Sequence, residues 1–366
     1  MKGYFSESYS EGREKFLNAC AKAGLKVRSY VHPERKGHDG EVLATDCAFV
    51  GPLDAKRIIL ASCGTHGLEA AAGAATILQW LEEGGPSALP PGVAILFVHA
   101  VNPFGWAHAS RGNEDGIDLN RNSIDFAAPP PENAAYSELH DLVVNADVTE
   151  AGLEAFTAAF FDFVQRKGLA HAIHGASAGQ YVHPDGLSYG GATLSWSCET
   201  MQAIARAYLS QAELVLMIDW HTGIGPFGEP FFIIDVPKTE PGYALAASWW
   251  PEHAIHSDDI LEDATPGYTG LLTVGLRNAL ARVSKAPFVG VVIEWGTYEV
   301  SAMLQALVMD NWLRTHRDLA GEPLFEDVRA RLIERFYPSS PAWRESVLEQ
   351  SRAIYAEAIA GVANWR

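Results

Sequence analysis

Cysteine is scarce in this chain. Its four cysteines, Cys20, Cys47, Cys63 and Cys198, show no C-x-x-C spacing, which argues against a disulfide framework and a thiolate zinc site; a transition metal would need histidine and carboxylate ligands. Positive charge is scarce too. The 27 Lys+Arg against 45 Asp+Glu give a formal charge of -18, which repels phosphate backbones and anionic membranes, so neither nucleic acid nor membrane is expected as a partner. No apolar run approaches the ~20 residues of a membrane span. The first residues carry Glu7, Glu11 and Glu14 with no continuous apolar stretch, unlike a signal peptide, and the expected location is the cytoplasm. Internal repeats and low-complexity segments are lacking. What remains is 366 residues, 48% hydrophobic, enough for the large core of a globular protein.

The most informative stretch is Ile58 to Ala70. Four apolar residues run into a small-residue turn, and His66 and Glu69 then open an alanine-rich helical stretch ending at Gly84-Gly85, which reads strand, turn, helix. Three residues apart on a first helical turn, His66 and Glu69 can reach one metal ion. Alone, such a pair is usually a solvated helix start, so its meaning depends on what other strand ends deliver.

In chain order, an amphipathic helix over 4–23 and two strands, Lys26–His32 and Glu41–Val50, precede that stretch. Val93–Ala100 reads as a buried strand reached by a parallel crossover. The loop beyond it carries Arg111, Asp118, Asn120, Arg121 and Asn122; arginines at the carboxyl end of a sheet strand suit a carboxylate or oxyanion better than a merely solvated loop. Residues 123–212 contain helical stretches near 134–144, 150–168 and 198–212 around a Gly-rich segment at 175–191, an insertion able to roof a cleft. Leu214–His221 is a buried strand ending on a histidine. Phe231–Val236 is a further strand, a helix lies near 242–250, and Thr265–Thr269 forms a Pro-Gly loop before a helix over 270–283. The last buried strand, Phe288–Gly296, drives Glu294 toward a glycine turn, where a carboxylate is costly unless used. Residues 303–316 and 324–366 read as helices that pack over the sheet, the latter as a C-terminal helical extension.

Three strand ends therefore supply His66 with Glu69, His221, and Glu294. A catalytic zinc takes three protein ligands and leaves a position for water, which His66, Glu69 and His221 satisfy with one ion. Attack by a metal-bound water with Glu294 as general base would hydrolyse an amide, Glu294 later passing the proton to the leaving amine, and Arg111 would stabilise the oxyanion. Such ligands suit zinc best but accept cobalt, nickel or manganese.

In these motifs and their order the sequence resembles the zinc carboxypeptidase superfamily, which includes aspartoacylase and succinylglutamate desuccinylase. The resemblance covers most of 55–300. It implies a single α/β domain over 1–366, with a mixed, largely parallel sheet flanked by helices, the insertion at about 123–212, and the C-terminal extension at about 324–366. The segment Asp118-Leu119-Asn120-Arg121-Asn122 looks like the family's D-x-N-R element. That assigns Asn120 and Arg121 to the substrate's terminal carboxylate and Asp118 to orienting His66 from behind. The family's mobile tyrosine falls on Tyr268, with Tyr243 and Tyr298 as competitors. More narrowly, Gly179–Gly186, Tyr189-Gly190-Gly191, Trp196-Ser197 and Asp219–Pro226 look like an uncharacterised bacterial branch.

The expected function is thus metallopeptidase-like: zinc-dependent, carboxypeptidase-like hydrolysis of a small carboxylate-bearing peptide. The alternatives are deacylation of an N-acyl amino acid and a non-catalytic metal- or ligand-binding protein; oligomeric state is not indicated. Gly175-Ala176-Ser177-Ala178-Gly179 spells the nucleophile elbow of serine hydrolases, but Ser177 lacks the strand before and helix after it that this motif requires. His171, His174 and His183 are expected to be hydrogen-bonded structure or cleft lining.

Overall fold

The structure, a computed structural model, describes residues 3–260 and 266–366; Thr265, the start of the expected Pro-Gly loop, lies outside them. Its centre is an eight-stranded sheet of β1 (Val27–Lys36), β2 (Val42–Val50), β3 (Arg57–Cys63), β4 (Val93–His99), β5 (Leu214–Gly223), β6 (Pro230–Ile234), β7 (Ala254–His256) and β8 (Phe288–Gly296). The strand order is β1-β2-β4-β3-β5-β8-β6-β7. The central run β4-β3-β5-β8 is parallel, as are β6 and β7, whereas β1, β2 and β6 join antiparallel, so the sheet is mixed and largely parallel as expected. Strands β4 and β8 are buried along their whole length and β5 along all but its last residue, which is why they read as continuous apolar runs and not as alternation. Register then does the positioning: His221 lies directly beside Glu294 on the neighbouring strand.

The helices are α1 (Tyr9–Lys22), α2 (Ala70–Glu82), the short α3 (Gly85–Ala88) and α4 (Pro103–Ala107), α5 (Ala134–Val144), α6 (Glu150–Lys167), α7 (Leu169–Ser177), α8 (Trp196–Leu209), α9 (Pro241–Trp249), α10 (Leu272–Ala281), α11 (Val300–Thr315), α12 (Pro323–Phe336) and α13 (Pro341–Asn364). The first helix begins later than its pattern suggested because Ser8 caps it, its hydroxyl accepting from Glu11 N at 3.2 Å. The alanine-rich α2 is buried along nearly its whole length and links β3 to its parallel neighbour β4, the expected crossover. Residues 169–177 form a helix in addition to the helical stretches expected in the insertion.

The C-terminal stretch 324–366 is two helices broken at Tyr337-Pro338-Ser339-Ser340; proline forbids a continuous ladder there. Helix α13 packs on α2, β3, β4 and β5. Helices α11 and α12 build a second apolar cluster with α5, α6 and α7, around Leu139, Phe156, Phe160, Val308, Leu332 and Phe336. Among the described residues no helix is long and apolar enough to cross a membrane.

Candidate active site

At the carboxyl end of β3 the chain turns through Gly64 at φ 78°, where an added Cβ would lie 2.8 Å from Ala70 Cβ; only glycine tolerates both conditions. His66 then precedes a 3-10 turn, Gly67–Glu69, and α2 starts at Ala70. The pair thus sits on a tight turn ahead of the α-helix, and not on its first turn. Gly67 packs against the backbone of Gly105 and Trp106, leaving no room for a side chain.

The two histidines approach Glu69 in the same way. His66 Nδ1 is 3.0 Å from Glu69 Oε1, and His221 Nδ1 is 3.1 Å from Glu69 Oε2. Their Nε2 atoms point away onto aspartates, Asp118 at 3.1 Å and Asp219 at 2.8 Å. Each aspartate fixes a tautomer in which Nε2 carries the proton and Nδ1 can donate its lone pair. Ligand atoms of His66, Glu69 and His221 lie within 4.8 Å of one another, and all three side chains are buried. Among the described residues His66 Nδ1 is buried without a hydrogen-bond partner in spite of its closeness to Glu69. A lone pair left in that position beside a second imidazole and a carboxylate fits a divalent metal, so the residues pass the chemical test for one.

Asp118 also shapes the loop that presents the arginines. Its Oδ1 accepts from Asn120 N at 2.8 Å and opens a 3-10 turn over Leu119–Arg121. Asn120 Oδ1 accepts from Leu272 N at 3.0 Å, tying the turn to the first residue of α10. Arg121 donates through Nε to Ser177 O at 2.9 Å and through Nη1 to Asn120 O at 2.6 Å, and stacks 4.7 Å over the Tyr268 ring. The structure therefore brings Tyr268 to the arginine. Tyr298 bonds Glu334 and Tyr243 packs on His256, so neither competitor takes that place.

Arg111 reaches Glu69 Oε1 through Nη1 at 2.6 Å and stands 5.3 Å over Phe336, with its backbone N–H on Asp310 at 2.9 Å. Its Nη2 is 3.1 Å from His66 Nε2. That nitrogen's proton already serves Asp118, so the contact is steric and not a hydrogen bond.

Electrostatics separates the carboxylates. Burial opposes ionisation of Glu69, but His66, Arg111 and His221 outweigh it and hold the group well below the usual range. Asp118 is likewise pulled down, against burial, chiefly by His66 and Arg121. His221 is raised well above its ordinary value: burial disfavours its charge, and Asp219 and Glu69 overcome that. Glu294 goes the other way, pushed up to about 7 by burial with Glu69 adding to the shift, and its buried Oε2 has no hydrogen-bond partner among the described residues. Two nearby carboxylates driven apart in this way are a signature of divided roles.

Sequence reading missed Asp219, Asp310 and Asp235. Asp219 accepts from Ser62 Oγ at 2.7 Å and Thr65 Oγ1 at 2.8 Å besides holding His221. Its signal was available, because residues two apart on a strand share a face. Asp235 is buried at the end of β6, bonded by Thr273 Oγ1 at 2.9 Å and raised to about 6 by burial. Asp310 comes from α11, and nothing local marks it. Ser177 ends α7 and gives its hydroxyl to Ile173 O at 2.7 Å, so the G-x-S-x-G spelling belongs to a helix end, as its missing context implied.

A buried His-Glu-His trio thus stands at the strand ends of a mixed α/β sheet, and several solved structures are similar to this chain at low identity. They include carboxypeptidase A from Helicoverpa armigera, 11% identical with a TM-score of 0.48 over 89% of this chain and 73% of that one. Succinylglutamate desuccinylase from Chromobacterium violaceum is 15% identical, with a TM-score of 0.38 over 92% and 76%. Bovine thrombin-activatable fibrinolysis inhibitor, in complex with tick carboxypeptidase inhibitor, is 10% identical, with a TM-score of 0.44 over 94% and 98%. No curated protein matches the chain. The family described as "Protein of unknown function (DUF2817)" matches residues 5–350, and the chain belongs to it. That description names no activity.

Proposed function

We propose that this protein is a zinc-dependent hydrolase that cleaves an amide bond beside a free carboxylate, carboxypeptidase-like, in a small peptide. The observation that carries the reading is the pairing of a His66-Glu69-His221 trio, lone pairs inward and Nε2 atoms anchored on Asp118 and Asp219, with a buried Glu294 one strand away. His66, Glu69 and His221 would hold the metal, which when bound supplies Lewis-acid polarisation of a carbonyl and acidification of water.

The chain's own residues do the rest. Glu294, with a pKa near neutrality, takes a proton from the attacking water and delivers it to the leaving amine. Arg111, one-fifth exposed beside Glu69, offers the cation for the developing oxyanion. Asn120 has its oxygen committed to Leu272, which leaves its amide N–H group for a substrate carboxylate; Arg121, whose Nη2 makes no hydrogen bond among the described residues, joins it there. Tyr268 covers Arg121 and closes that side of the clamp.

Deacylation of an N-acyl amino acid uses the same clamp and stays as a second reading. It is favoured by the way the insertion presses on Arg121: Ser177 O accepts from it, and a Cβ on Gly179 would lie 2.7 Å from its Cδ. Such crowding suits a small substrate.

The test begins with metal content by plasma mass spectrometry, for wild type and a His66→Ala, His221→Ala double variant, followed by dipeptides against N-acyl amino acids with and without chelator. Zinc lost in the variant together with chelator-sensitive amide cleavage is expected. A metal-loaded protein inert on both substrate classes would turn the reading toward a non-catalytic binder.

A further inference from the structure

A second set of metal-ligating side chains meets outside this site. His140 lies on α5, while His183 and Asp185 belong to the connection between α7 and α8, and ligand atoms of the three lie within 4.8 Å of one another. His140 Nε2 is 2.9 Å from Asp185 Oδ1, and the two imidazoles stack with centroids 4.0 Å apart and planes 26° from parallel.

The turn that carries two of these groups is held before any ion arrives. Gly186 N bonds His183 O at 3.0 Å, closing a turn with Pro184 and Asp185 at its centre, residue types suited to those positions. Gln180 clasps it from inside, its Oε1 accepting from His183 N at 2.8 Å and its Nε2 donating to His183 O at 2.7 Å. Arg314 secures the other side, donating to Pro184 O and Gly186 O at 2.9 Å each. Ser137 Oγ lies 3.1 Å from His183 Nε2 and orients that ring.

The rigid turn holds the two imidazoles and the Asp185 carboxylate with ligand atoms close enough for one ion. The neutral ring is the form that binds metal. Asp185 supplies a carboxylate, Asp141 stands 3.8 Å from His140 Nδ1 as further negative charge, and the half-exposed Asp185 leaves room for water. Two nitrogens and one oxygen suit a zinc-type divalent ion.

We propose that His140, His183 and Asp185 form a second divalent-metal site, a structural clip fastening the 180–189 segment to α5. The segment is worth fastening. Tyr181 OH donates to Arg121 O at 2.7 Å, and Tyr189 O accepts from Asp118 N at 2.8 Å, so it supports both the substrate clamp and the aspartate behind His66. This departs from the sequence reading of His183 as hydrogen-bonded structure or cleft lining.

The test is zinc stoichiometry of the full chain after loading and desalting, by plasma mass spectrometry, with circular dichroism to verify folding. Wild type should hold two equivalents. The His66→Ala, His221→Ala variant should keep one, and that one should vanish when His183→Ala is added. Asp185→Asn, a conservative change at an exposed position, should lose the same equivalent from otherwise wild-type protein. In the His66→Ala, His221→Ala background zinc should still raise the melting temperature, and adding Asp185→Asn should abolish that shift. Wild-type stoichiometry unchanged by either His183→Ala or Asp185→Asn would overturn the proposal, whatever the fate of the first site.

Discussion

Glu294 and Asp219 do opposite work with the same functional group. Glu294 has one oxygen buried without a partner and is held near neutrality, whereas Asp219 spends both oxygens on Ser62, Thr65 and His221. Replacing Glu294 with Gln keeps the shape and removes the proposed base. Turnover should fall by ~10²–10⁴-fold, the usual worth of a positioned proton carrier, with metal content equal to wild type by mass spectrometry; full activity would end its assignment. Asp219→Asn should do the converse, since losing the anchor behind a metal-binding histidine weakens affinity by ~10–100-fold. Competition against a chromophoric chelator measures this directly. An unchanged dissociation constant would mean that β5 alone aligns His221.

At the scale of elements, the turn over Leu119–Arg121 and the start of α10 are one unit, because Asn120 Oδ1 takes the first N–H of α10. Asn120→Ala leaves that donor without its partner, at a cost of about 1 kcal/mol, and also removes the amide proposed to meet the substrate. Asn120→Asp separates the two roles. It keeps the acceptor, so urea unfolding should return near wild type, but places negative charge before a carboxylate, so KM should stay raised with kcat less affected. Recovery of KM together with stability would show that Asn120 acts only through the helix. The insertion belongs to this scale as well: Arg121 takes its pose from Ser177 O at the end of α7 and from the Tyr268 ring ahead of α10.

For the whole molecule, the titrating groups of the site set a direction for stability. Glu294 and Asp235, whose ordinary carboxyl pKa values lie near 4.5 and 3.8, are raised to about 7 and about 6. Between those limits the folded chain binds more protons than the unfolded one, so stability falls as pH rises. His221, raised well above 6.5, acts in the same sense, since the stability it adds below 6.5 is lost as pH climbs through its folded value. Chelator-treated protein should therefore melt higher near pH 5 than near pH 8. Added zinc should reverse the order, since it favours the carboxylate and the neutral imidazole. Equal melting temperatures at both pH values without metal would contradict the burial of these groups.

Much of this architecture was legible in the chain because it is local. Continuous apolar runs marked β3, β4, β5 and β8, their ends carried His66, Glu69, His221 and Glu294, and the crossover through α2 followed from helix period and spacing. The broken C-terminal extension was partly readable, since Pro338 announces the break, though its α12 also reaches the site by placing Phe336 under Arg111. Only tertiary structure decided which groups stand behind the ligands and beside the arginines. Asp310 from α11, Ser177 from α7 and the pairing of His140 with His183 and Asp185 come from segments whose sequences follow ordinary helix and turn patterns. Their meaning arises from distance in space, and packing of distant segments, unlike periodicity, leaves no mark in the residues that make it.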